Sequence, residues 1–223
     1  MTHKIFVACD SKNISKVKKI IKETQNSKLK IGYKFGLEFL NSRNGRLFIS
    51  KLKNKIIFAD LKLHDIPNTC ASAVKAINDL NINYLTIHIS SGLEALKATK
   101  RVSNKIRLAG VSILTSLDNK SLKEIGFSKN VKKLVLHQAR LASKAKLDAI
   151  VCSPQEVKAI KKIFKKEIIT PGIRLPGDSK EDQKRVMTPK QAFKNGATSL
   201  VMGRSLIKGN IKKNIQNLVK NLN

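Results

Sequence analysis

Ile56-Ile-Phe-Ala-Asp60-Leu-Lys62-Leu-His-Asp65-Ile-Pro67-Asn-Thr69 joins two patterns. The apolar run at 56–59 ends on Asp60, and a helical pattern follows at 68–80. A short, continuously apolar run suits a strand buried on both faces of a parallel sheet. With a side-chain period of two, Asp60 and Lys62 share one face, and Leu61 and Leu63 share the other. Ionised groups at such a strand end must neutralise each other. Pro67 holds the loop out of helix until Asn68 or Thr69 can cap the next one. From spacing alone, a structural ion pair explains these residues as well as a catalytic one does.

The same unit recurs in both directions. Apolar runs at 5–9, 29–31, 84–87, 108–114, 149–152, 167–170 and 199–202 each precede a helical pattern or a helix-start signal. Residues 13–23, for example, place Ile14, Val17, Ile20 and Ile21 at helical spacing. Ser153-Pro154 reads as the N-cap and first position of a helix. Eight strand-like runs alternating with helices predict an α/β protein, a (β/α)8 TIM barrel, over a doubly wound sheet. No linker or low-complexity tract breaks residues 1–223, which read as a single domain. Asp10, Asp60, Lys62, His88, Thr115, Ser153, Thr170 and Arg204 fall at or just beyond the C-terminal ends of the runs. In a barrel those ends form the face that carries active sites.

Composition narrows the partners. The 223 residues hold 45 Lys plus Arg against 15 Asp plus Glu, a net charge of +30. Such a balance invites nucleic acid or an anionic membrane. Yet only eight of the 45 are Arg, the side chain that pairs bidentately with guanine, and aromatics are 4% with no Trp. We read the charge as a Lys-rich solvated surface, with neither nucleic acid nor membrane as partner. Cys9, Cys70 and Cys152 form no C-x-x-C pair, so they read as core residues of a reducing compartment, with no metal site. His64 and His88 read as packing or hydrogen-bonding residues. The apolar stretch at 5–9 is too short for a signal peptide, and no run approaches a membrane span, so a soluble, cytoplasmic protein is expected.

Asp60-x-Lys62-x-x-Asp65-Ile-Pro-Asn-Thr69 resembles the signature of the orotidine 5′-phosphate decarboxylases. The resemblance extends in order through Ala8-Cys-Asp10, Leu29-Lys30-Ile-Gly32, Thr86-Ile-His88, Val111-Ser-Ile-Leu-Thr115, Thr170-Pro-Gly-Ile-Arg174, Asp182-Gln183 and Val201-Met-Gly203-Arg204. It implies decarboxylation of orotidine 5′-phosphate to UMP and CO2, the last step of UMP biosynthesis, with no metal and no cofactor. Lys62 is matched to the general acid, Asp60 to its partner, and Lys30 to a second network lysine. Asp65 is matched to a carboxylate from the other subunit of a homodimer with a shared active site, with Ile66 and Thr69 beside it. Asp10 is matched to a ribose contact and Thr115 to a base-side contact. Gly203 and Arg204 are matched to the phosphate, and Arg174 and Gln183 to the loop that closes over it. A metal-dependent relative acting on a keto-sugar phosphate would need an acidic metal ligand where the second-strand lysine stands.

Overall fold

In the computed structural model, which describes residues 3–178 and 186–222, eight strands close into a barrel in sequence order. They are β1 (Lys4–Ala8), β2 (Lys30–Phe35), β3 (Ile56–Leu63), β4 (Tyr84–His88), β5 (Arg107–Val111), β6 (Ala149–Val151), β7 (Glu167–Thr170) and β8 (Ser199–Met202). Every neighbouring pair is parallel, and β1 pairs with β8 to complete the ring. The helices between them are α1 (Ile14–Thr24), α2 (Leu37–Leu40), α3 (Gly45–Ser50), α4 (Pro67–Ala76), α5 (Leu93–Val102), α6 (Asn119–Glu124), α7 (Val131–Lys144), α8 (Val157–Ile163), α9 (Pro189–Asn195), α10 (Arg204–Ile207) and α11 (Ile211–Leu222). The predicted barrel is therefore the architecture observed.

Period-two alternation divides each strand between two cores. Ile5 and Val7 point outward to Val17, Ile20 and the other helix-facing residues. Phe6 and Ala8 point inward, with Phe58, Tyr84, Ala109, Ala149, Ile169 and Val201. Three inner rings, Phe6, Phe58 and Tyr84, have centroids 5.0–5.7 Å apart and fill the lumen. Small partners make room for them. A Cβ at Gly32, beside Phe6 in the register, would stand 2.7 Å from the Phe6 ring.

Several boundaries differ from the sequence reading for local reasons. The second strand runs on from Lys30 to Phe35, past the run read at 29–31. The fifth stops at Val111, so Ile113 and Leu114 lie in the loop above it. Helix α4 starts at Pro67 itself, without a cap from Asn68 or Thr69, because proline's fixed φ and missing N–H suit the first helical position. Ser153-Pro154 opens a turn, and α8 begins only at Val157.

The N-terminal mouth is closed by a polar plug. Glu167, at the start of β7, accepts hydrogen bonds from Lys4, Ser199 (2.6 Å), Tyr84 (2.8 Å) and Arg107 (3.2 Å). Burial pushes its pKa up, but the hydrogen bonds from Lys4 and Ser199 and the Lys4 charge outweigh that, and the net direction is down. A buried carboxylate so held stabilises the fold only while ionised. Removing it strands Lys4 in the plug. Glu167→Ala should lower unfolding stability in urea by about 3 kcal/mol. Because the folded pKa is depressed, the wild-type contribution is complete above the ordinary Glu value of 4.5 and is lost as pH falls through the lowered one. Urea midpoints from pH 7 to 3 should fall more steeply for the wild type than for Glu167→Ala.

Candidate active site

The opposite mouth holds a cavity of about 520 Å³. Its floor is the inner face of β1–β3, at the level of the Phe58 ring, where Ala8, Lys34 and Phe58 lie side by side in the register. Charged side chains continue the same inward positions. Asp10 follows Ala8 by two, Lys34 follows Gly32 by two, and Asp60 follows Phe58 by two. The period that buries the rings thus delivers the charges.

These groups form one chain of contacts. Lys34 Nζ donates to both Asp10 oxygens at 3.0 and 3.1 Å. It also stands 3.3 Å from Asp60 Oδ2. Lys62 Nζ donates to the same Oδ2 at 2.8 Å. Thr86 Oγ1, from β4, donates to Asp60 Oδ1 at 3.0 Å and accepts the Lys62 backbone N–H at 2.7 Å. Two carboxylates and two ammoniums therefore alternate as Asp10–Lys34–Asp60–Lys62. Burial works against the charge of Lys34, which is 8% exposed, yet Asp60 and Asp10 hold its ammonium above the usual lysine range. Burial likewise opposes ionised Asp60, but Lys34 and Lys62 bring its pKa below the usual carboxylate range. Both stay charged at neutral pH.

The backbone at Lys62 is irregular. The β3–β4 register shifts between Ala59 and Leu63, and Lys62 has φ +50°, the left-handed region. The period-two reading of Asp60 and Lys62 is thus broken by a bulge, although both side chains still reach the cavity. The Lys62 side chain is one-third exposed there, whereas that of Lys34 is almost covered. His88, at the end of β4, is not part of the cavity wall. Burial, then His64 and Lys62, lower its pKa, so it is neutral at pH 7.

Thr115, Arg174, Gly203 and Arg204 line the same cavity. Arg174 leaves β7 and donates its backbone N–H to the Met187 carbonyl at 3.1 Å, and Met187 N–H returns to Gly172 at 3.2 Å. This clasp ties the two ends of the expected closing loop. Gln183 lies outside the described residues.

Lys30 is a correction. It opens β2 opposite Lys4, exposed at the plugged end of the barrel, and it does not line the cavity. Four residues of strand, about 13 Å, separate it from the place the network lysine must occupy. Lys34 occupies that place. The chain contains Lys-x-Gly twice in succession, Lys30-Ile-Gly32 and Lys34-Phe-Gly36, and the two lysines share an inward face. The strand's end at Phe35 selects the second. Gly36 belongs to the same fit, since a Cβ there would come within 2.6 Å of Asp10 Oδ1.

Asp65, Ile66 and Thr69 do not reach this cavity within the chain. Asp65 is exposed and accepts the Ile66 backbone N–H at 2.7 Å. Ile66 is 66% exposed, large for an isoleucine beside a site. Among the described residues no group of three His, Cys, Asp or Glu side chains could hold a metal ion. No helix among them is long and apolar enough to cross a membrane.

Comparison with known proteins agrees with this geometry. Residues 3–214 match the family described as orotidine 5′-phosphate decarboxylase / HUMPS. A curated orotidine 5′-phosphate decarboxylase of Prochlorococcus marinus (strain MIT 9215) is 41% identical over 219 residues, covering 92% of this chain and 89% of its own. Its counterpart from the Wolbachia of Brugia malayi is 43% identical over 192 residues, covering 83% and 84%. The crystal structure of orotidine 5′-phosphate decarboxylase from Lactobacillus acidophilus superposes with a TM-score of 0.83 at 30% identity, covering all of both chains. With barrel, charge array and relatives in agreement, this chain belongs to the orotidine 5′-phosphate decarboxylase / HUMPS family.

Proposed function

We propose that the chain converts orotidine 5′-phosphate to UMP and CO2, with Lys62 as the proton donor. The observation that carries this reading is the Asp10–Lys34–Asp60–Lys62 array on the cavity floor. Breaking the bond from C6 to the carboxylate leaves the electron pair on C6, in the ring plane, where no ordinary sink can take it. An acceleration at the upper end of the enzyme range is needed, about 20 kcal/mol of transition-state stabilisation. A fixed ammonium beside C6 provides stabilisation as the charge develops. The Lys62 N–H proton then passes to C6, giving UMP and a neutral amine that regains a proton from water.

Asp60 aims Lys62, and Lys34 keeps Asp60 ionised. Asp10 offers a carboxylate oxygen to ribose hydroxyls. Thr115 approaches the base. Arg174, Gly203 and Arg204 receive the phosphate. Lys34 also weighs against a metal-dependent aldolase reading. Its ammonium lies between Asp10 and Asp60, where a divalent cation would need the same two carboxylates.

The site is completed by a second copy of the chain. The exposure of Ile66 and Asp65 supports this, since neither lines the cavity of its own chain. In the homodimer, Asp65 of each subunit joins the other's array, with Ile66 and Thr69 alongside. A soluble, cytoplasmic enzyme fits this metabolic role.

Purified protein should bleach orotidine 5′-phosphate absorbance with chelator present and no metal added; an inactive wild type would overturn the reading. Lys62→Ala should abolish turnover with the melting temperature nearly kept. Lys34→Ala should lose at least about a hundredfold in kcat/KM while Lys30→Ala stays within about twofold, a contrast that separates the buried lysine from the exposed one. Mixing Lys62→Ala chains with Asp65→Ala chains should restore about a quarter of wild-type activity through heterodimers with one intact site. No recovery on mixing, with dimers confirmed, would place Asp65 outside the partner's site.

A further inference from the structure

Thr86 has no role among the residues assigned so far, yet it touches both halves of the reacting pair. It is 1% exposed on the inner face of β4. Its hydroxyl has one proton to give and lone pairs to receive. The proton goes to Asp60 Oδ1 at 3.0 Å, and a lone pair takes the Lys62 backbone N–H at 2.7 Å. That N–H sits within the register shift between Ala59 and Leu63, where the regular ladder between β3 and β4 is interrupted. Thr86 Oγ1 thus serves as the acceptor at the one residue of β3 that has left-handed backbone.

We propose that Thr86 is a positioning residue, whose hydroxyl fixes the left-handed bulge at Lys62 and locks the Asp60 carboxylate so that Lys34 and Lys62 meet its other oxygen. The inference rests on the assignment of Lys62 as proton donor. Without the hydroxyl, Asp60 can rotate about its last bond, and the Lys62 N–H must find another partner. The simplest way to find one is to shift the bulge, which carries the lysine with it. Phosphate and ribose contacts lie on other strands, so the loss should fall on the chemical step and not on binding.

Thr86→Val keeps the branched shape and deletes the hydroxyl; Thr86→Ser keeps the hydroxyl. Thr86→Val should lower kcat by about a hundredfold, with KM and the affinity for the product UMP within about threefold of wild type, and Thr86→Ser should return kcat to within about threefold. The Lys62 amide should exchange with solvent at least about tenfold faster in Thr86→Val than in wild type, a readout independent of turnover. Should the valine variant not fold, Thr86→Ala carries the same measurements. A near-normal kcat in the hydroxyl-free variant overturns the proposal, as does a loss shared equally by kcat and UMP affinity. Unchanged Lys62 exchange overturns it too. An inactive wild type whose Lys62 exchange still depends on Thr86 would instead locate the fault in the assigned reaction.

Discussion

One carboxylate oxygen, Asp60 Oδ2, is shared by two ammonium groups. The rest of the site is arranged around that sharing. A buried aspartate beside a single lysine would make a neutral, closed pair. With two lysines it leaves one excess positive charge, which Asp10 balances from the Lys34 side. The other side ends on Lys62, whose ammonium has one carboxylate partner among the described residues and lines the open cavity. The array is therefore polarised. Its buried end is held between two carboxylates, and its exposed end, Lys62, lines the cavity.

Such an array is costly to assemble. Each ion loses hydration on burial, and the mutual attraction repays this only when geometry is tight and the remaining donors are satisfied. Here the cost is met by the barrel's regularity. Charges arrive on inward positions of adjacent strands, already at pairing distance, so little side-chain freedom remains to be lost. The bulge at Lys62 is the exception. It breaks the regular pleat to bring the lysine Nζ back onto Asp60, and a non-glycine residue in the left-handed region is the strain that results.

The barrel was legible because its signals are local. Eight apolar runs and their period of two can be read without knowing what they pack against, and the inward charges follow from the same arithmetic. Lys30 and Lys34 mark where that arithmetic stops. Both lie on the inward face, so periodicity cannot choose between them; only the height of the residue along the barrel can, and height depends on register with Lys4 and Phe58 in other strands. Thr86 was quoted in the sequence reading only as the start of a motif. Its role depends on a bulge that appears only when β3 meets β4. Gly36 could have been found by a similar argument, since a second Lys-x-Gly hints at a close approach, but the object approached, Asp10, comes from another strand. Asp65 and Ile66 stood out in sequence through family resemblance alone, and within one chain they do not line the cavity.

The two ends of the barrel use the same chemistry to opposite effect. At the closed end, Glu167 meets Lys4, Tyr84, Arg107 and Ser199, so both its oxygens are occupied by donors from four other strands. That carboxylate is a fastener. At the open end, Asp60 is held as firmly, but the chain of contacts runs outward to Lys62 and to Asp10, whose carboxylate is nearly half exposed. These outer members line the cavity, while the contact between Lys34 and Asp60 lies beneath them. The large positive surface plays no part in that distinction, because the array itself carries two charges of each sign. What distinguishes the open end is exposure at its rim, where Lys62 is one-third and Asp10 nearly half exposed beside the cavity.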